Sequence, residues 1–133
     1  NVLGFVVTSA GDFNGDGYGD FMMSEHGWDQ TWDPNNHTNE GRVGLWLGSP
    51  VGPTAEPFPI YADCLMAGDQ TGARYSLALA GGVDVDDDGF DEIVISADSY
   101  DSLGKIFLFS GQALVIADDF ESKDTGRWTL VWP

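Results

Sequence analysis

The feature that most constrains this chain is a duplicated acidic loop. Asp12-Phe13-Asn14-Gly15-Asp16-Gly17-Tyr18-Gly19-Asp20 recurs as Asp84-Val85-Asp86-Asp87-Asp88-Gly89-Phe90-Asp91-Glu92, 72 residues later (84 − 12). Both loops carry an oxygen-bearing side chain at positions 1, 3, 5 and 9 and glycine at position 6. Side-chain oxygens at that spacing, a sharp turn at glycine and a backbone carbonyl at position 7 suit a hard cation, and Ca²⁺ above all. The expected ligands are Asp12, Asn14, Asp16 and Asp20 with the Tyr18 carbonyl, then Asp84, Asp86, Asp88 and Glu92 with the Phe90 carbonyl, giving two sites. Asp87 and Asp91 are expected to point outward. A helix-loop-helix calcium site needs an acid at position 12 and a helix after it. Position 12 is Met23 in one loop and Ile95 in the other, each inside a strand-like run, so that alternative fails.

The flanks repeat as well. The segment from Asn1 to Gly11 aligns with Ala73 to Val83, Phe21-Met22-Met23-Ser24 with Ile93-Val94-Ile95-Ser96, and Arg42 to Gly48 with Lys105 to Gly111. A fourth pair is Phe58-Pro59-Ile60-Tyr61-Ala62 with Trp128-Thr129-Leu130-Val131-Trp132. Each repeat thus predicts four short strands joined by turn-rich loops, with Pro59 placing the fourth at an edge. The inner segments are apolar on both faces, the pattern of sheets covered on both sides. No helical periodicity is present. The reading is all-β: two four-stranded antiparallel propeller-type blades in one unit, 1–133, split at about 72 and 73 and completed by self-association or by further blades.

Composition removes other classes. Five basic against 22 acidic residues give a net charge of −17, which disfavours nucleic acid and anionic membranes. No segment is long and apolar enough to insert in a membrane. Cys64 is the sole cysteine, so no disulfide forms within the chain; a buried, inert thiol is expected. The chain starts at Asn1 without a signal-like segment, as a processed protein or an excised fragment would, and loops suited to extracellular calcium levels point to secretion. No Gly-x-Ser-x-Gly, His-Glu-x-x-His or phosphate-cradling glycine motif is present, so no enzyme is expected.

These loops and the strand Val43-Gly44-Leu45-Trp46-Leu47-Gly48-Ser49 resemble the FG-GAP repeat of integrin α-subunit β-propellers and their bacterial relatives, over roughly residues 1–111. The resemblance implies calcium-holding hairpins in propeller blades. Departures are Leu3-Gly4 and Tyr75-Ser76 where the family has Phe-Gly, and Ser24-Glu25-His26 and Ser96-Ala97-Asp98 where it has Gly-Ala-Pro.

The first repeat carries a longer insertion, Glu25 to Gly41, against Ala97 to Gly104 in the second. It holds Trp28 and Trp32, which either stack on a glycan or protein ligand or close over the loop's own small core. His26 and His37, with Glu25 or Asp33, form a weak transition-metal pattern, and Asn36-His37-Thr38 matches a glycosylation sequon. Propellers close with four to eight blades, so two blades leave apolar faces open. The leading expectation is a calcium-stabilised extracellular structural or adhesive subunit that assembles head to tail into a ring or filament. The alternatives are a ligand- or glycan-binding module and a fragment of a larger secreted protein.

Overall fold

The computed structural model describes residues 3–29, 38–55 and 61–112. Among the described residues seven strands run in chain order: β1 (Val7–Gly11), β2 (Asp20–Glu25), β3 (Arg42–Trp46), β4 (Cys64–Ala67), β5 (Tyr75–Val83), β6 (Glu92–Ala97) and β7 (Lys105–Phe109). They form two antiparallel meanders, β1-β2-β3-β4 and β5-β6-β7. This is the all-β, blade-type architecture the repeats predict. The strand expected at Trp128–Trp132 lies outside the described residues.

The repeat is written into the hydrogen-bond register. In the first sheet Val7 pairs with Met23, Ser9 with Phe21 and Gly11 with Asp20. In the second, Leu79 pairs with Ile95, Gly81 with Ile93 and Val83 with Glu92. Each pair of one set is the other displaced by 72, and the irregularity between Ser9 and Gly11 recurs between Gly81 and Val83. Such a bulge tightens local twist and aims the residues beside it. Here it lies at the mouth of the acidic loop. The third strands repeat with an offset of 63 (105 − 42): Trp46 pairs with Phe21 as Phe109 pairs with Ile93. Even a side-chain bond is copied, with Val6 N donating to Ser24 Oγ at 2.9 Å and Ala78 N to Ser96 Oγ at 3.0 Å.

One expectation is corrected. The fourth strand is Cys64–Ala67, not Phe58–Ala62: β4 pairs with β3 through Leu45 and Cys64, while Tyr61 and Ala62 lie outside any strand and 58–60 lie outside the described residues. The ladder suits Cys64–Ala67, which has no proline, better than a run in which Pro59 lacks an N–H. Tyr61 instead accepts the indole N–H of Trp46, and the Trp46 ring folds back over Gly44, where an added Cβ would sit 2.5 Å from it.

Residues two apart in a strand share a face. The face of the first sheet bearing Met22, Val43, Leu45 and Cys64 packs on the face of the second bearing Leu79, Ile93, Ile95, Phe107 and Phe109, forming one core. Ala10, Phe13, Ala73, Tyr75 and Ala97 complete it. At its tightest the two innermost strands meet backbone to backbone. A Cβ on Gly81 would lie 2.9 Å from the Ser9 carbonyl, and one on Gly11 would lie 2.5 Å from the Gly82 Cα. Burial drives the Cys64 thiol up to about 12, with the neighbouring Asp63 charge adding to the effect, so Cys64 is the inert core residue expected.

Candidate metal centre

Both acidic loops bridge the first two strands of a sheet, β1 to β2 and β5 to β6, and fold alike. Asp12 accepts the N–H of Asp16 on Oδ1 and of Gly17 on Oδ2, both at 2.9 Å. Asp84 accepts those of Asp88 at 3.1 Å and Gly89 at 2.9 Å. The position-5 acids each take an N–H two residues on, Tyr18 to Asp16 and Phe90 to Asp88, at 2.9 Å. Gly17 and Gly89 supply φ of 89° and 94°, a left-handed turn that side chains resist. The chain therefore curls around its own carboxylates, a short-range arrangement that aspartate favours.

The position-9 acids close each loop from below and are buried. Asp20 receives the Phe13 N–H at 2.8 Å and the Gly48 N–H at 2.8 Å. Glu92 receives the Val85 N–H at 2.6 Å and the Ser110 hydroxyl at 3.1 Å. Both acids thereby tie the loop to the third strand's exit. Burial raises the Asp20 carboxyl above its ordinary value, against the lowering effect of the Gly48 and Phe13 bonds.

The loops differ in how far their oxygens converge. Asp84, Asp86, Asp88 and Glu92 each offer a carboxylate oxygen within 4.8 Å of the others, the only such gathering among the described residues. Desolvation, then the charges of Asp88, Glu92 and Asp84, push the Asp86 carboxyl up. Four converging carboxylates repel one another unless protons or a cation intervene, and hard oxygen donors fit Ca²⁺ or Mg²⁺. In the first loop Asn14 replaces the position-3 acid, and its Nδ2 donates to Asp16 Oδ2 at 2.9 Å. A cation there requires that amide to let go of the carboxylate. All ten residues expected as ligands lie in these two loops; Tyr18 and Phe90 stand at position 7, and their N–H groups point at Asp16 and Asp88.

Asp91 does not point outward. Its Oδ2 accepts the Asp12 N–H at 2.7 Å, and its own N–H returns to the Asp12 carbonyl at 3.3 Å. The Phe90 ring lies against Gly15, where a Cβ would come within 2.5 Å. The second loop thus grips the first across the junction between the sheets. A dense run of acids concealed this role; the sequence signal was Gly11, the glycine that leaves room for the carboxylate.

Trp28 is engaged locally. The Arg42 guanidinium lies 5.0 Å from its ring centroid, and Arg42 Nε also binds Glu25 Oε2 at 2.7 Å. The His26 ring lies tilted against Phe5, with centroids 4.0 Å apart and an interplanar angle of 43°. Trp32, His37, Asp33 and Asn36 lie outside the described residues.

Residues 5–46 match the FG-GAP repeat. Integrin alpha-PS2 of Drosophila melanogaster is 32% identical over 111 residues, covering 83% of this chain, and integrin alpha-IIb of Mus musculus is 26% identical over 115 residues, covering 86%. The chain spans only 7% and 10% of those two proteins. Among the described residues no helix is long and apolar enough to cross a membrane.

Proposed function

We propose, from the premise that this chain carries an FG-GAP repeat, that it is a calcium-stabilised β-propeller subunit with a structural or adhesive role outside the cell. Residues 1–133 act as one unit with blades at about 1–72 and 73–133. Each blade is stapled by an ion in its first hairpin, through Asp12, Asn14, Asp16 and Asp20 in one and Asp84, Asp86, Asp88 and Glu92 in the other, with the Tyr18 and Phe90 carbonyls completing the shells. The carrying observation is the convergence of four carboxylates within 4.8 Å in the second loop. The ion is structural: the acids around it hold the loop's own backbone N–H groups. The subunit works by association rather than catalysis, joining copies through blade faces into a ring or filament.

The test is calcium titration of EGTA-treated protein by calorimetry, with sedimentation in calcium and in EGTA. Calcium-dependent stability together with association supports the reading. A folded monomer indifferent to EGTA refutes it. Recognition of a glycan or protein through Trp28 and Trp32 is the weaker reading, because Arg42 already occupies one face of Trp28.

A further inference from the structure

The junction between the two sheets joins unlike faces. The first sheet contributes the face of Met22, Val43 and Leu45; the second contributes the face of Ile93, Ile95 and Phe109. By the repeat register, Ile93, Ile95 and Phe109 correspond to Phe21, Met23 and Trp46, while Met22, Val43 and Leu45 correspond to Val94, Ile106 and Leu108. So the two outward faces are repeat copies of the two faces that meet inside. Exposure is uneven across them. Val43 is 0% exposed and its counterpart Ile106 72%; Tyr75 is 3% exposed and its counterpart Leu3 38%. On the first blade's outward face Met23 and Trp46 are buried, with the Trp46 ring folded over Gly44, and the open apolar area there is centred on Val7 and Phe5.

The outward faces also fit each other at the point of closest approach. Inside, Gly11 has no side chain, and the Asp91 carboxylate fills the place, 2.0 Å from where a Cβ would be. At the equivalent outward positions the roles are exchanged. Gly11 is replaced by Val83, 62% exposed, and Asp91 by Gly19, where an added Cβ meets nothing within 4 Å. The same exchange occurs along the innermost strands. Inside, Gly81 approaches the Ser9 carbonyl and the Ala10 Cα; by the repeat, an incoming Ser9 outside would meet Gly81 and Gly82. A glycine on at least one side of each contact lets the backbones approach as closely as they do within the chain.

We propose, resting on the self-association reading above, that the occupant of the second blade's outward face is the first blade of a second copy of this chain. It docks as the chain's own second blade docks on its first, with Val83 seated over Gly19. The contact is heterologous: Ile106, Val94 and Leu108 of one copy meet Val7 and Phe21 of the next, and a dimer is left with one open first-blade face and one open second-blade face.

The experiment uses two charge substitutions at exposed positions, Ile106→Asp on the second blade and Val7→Asp on the first, followed by sedimentation in calcium at physiological salt. The unmodified chain forms concentration-dependent oligomers. Each variant alone is monomeric, its association weakened about a hundredfold by burial of an unpaired charge. Mixed together, the two variants form a dimer that stops at 1:1, because one retains a sound first blade and the other a sound second blade. Circular dichroism checks each fold, and Ile106→Ser and Val7→Ser replace any variant that unfolds. If the unmodified chain oligomerises but either variant alone does so equally well, this docking face is wrong and self-association stands. Monomeric variants that fail to pair on mixing overturn the head-to-tail geometry. An unmodified chain that stays monomeric overturns both the docking face and the self-association reading.

Discussion

Gly11→Ala tests the junction between the blades against a matched control. Gly11 has φ of 70° and Gly72 has φ of 72°, so alanine at either pays the same left-handed penalty, about 1 kcal/mol. Their surroundings differ. At Gly72 a Cβ meets nothing within 4 Å. At Gly11 it would lie 2.0 Å from Asp91 Oδ2 and 2.5 Å from the Gly82 Cα, and a backbone atom cannot swing aside as a long side chain can. Relief requires β1 and β5 to part by roughly an ångström, the gap between such a contact and ordinary van der Waals separation. That parting strains the packing by about 1–3 kcal/mol. It also breaks the 2.7 Å bond from Asp12 N to the Asp91 carboxylate. A hydrogen bond to a charged group contributes about 1.5–3 kcal/mol. Gly72→Ala should therefore cost about 1 kcal/mol and Gly11→Ala about 3 kcal/mol more. Urea unfolding of both variants in calcium, followed by tryptophan fluorescence, reads the difference as a shift in midpoint at constant slope. If the two variants fall within about 1 kcal/mol of each other, β1 and β5 do not approach as closely as the junction requires.

Asp84→Asn puts an NH2 in place of one of the two carboxylate oxygens that accept loop N–H groups, and removes one charge from the gathered carboxylates. It should weaken the tighter calcium step by at least about tenfold in calorimetry, while Asp87→Asn, at an exposed loop position, leaves it within about twofold. The two calcium steps should differ in affinity, since the first loop offers three acids and Asn14 where the second offers four acids. Without calcium, stability should fall as pH rises. The folded chain holds the Asp20 and Asp86 protons more tightly than the unfolded chain does, so their contribution is present below the ordinary carboxylate value of 3.8 and is lost as pH climbs through the raised values. In calcium the ion replaces those protons and the trend reverses, which melting curves across that window with and without EGTA will show. Cys64, its thiol pushed up to about 12, should resist iodoacetamide at pH 8 in the folded chain and react on unfolding; rapid labelling of native protein would contradict its burial.

The sequence carried the fold wherever the cause was local and repeated. The 72-residue offset foretold which strands pair and where the acidic hairpins fall, because the register follows the turn and the apolar pattern together. Where a residue's role depends on another element, the pattern along the chain was silent. The run ending at Tyr61-Ala62 is as apolar as a strand, but Tyr61 is spent on the Trp46 indole and the ladder passes to Cys64–Ala67. Asp91 resembles its acidic neighbours in every local respect, and only the opposing Gly11 and Asp12 make it a clasp between loops. Trp28 was legible as an aromatic in a long loop; that Arg42 lies over it depends on β3, which begins at Arg42 after the insertion ends.

The central claim is that cations hold the acidic hairpins and so hold the blades. The most direct measurement is calorimetric titration of Ca²⁺ into EGTA-treated protein, paired with melting temperature at each point of the titration. The account predicts that calcium binds at both loops, the second before the first, and that the melting temperature rises with occupancy. Saturation at a hundred times the dissociation constant should add about 2.7 kcal/mol per site. Absence of calcium binding, or binding that leaves the melting temperature where EGTA leaves it, would contradict it.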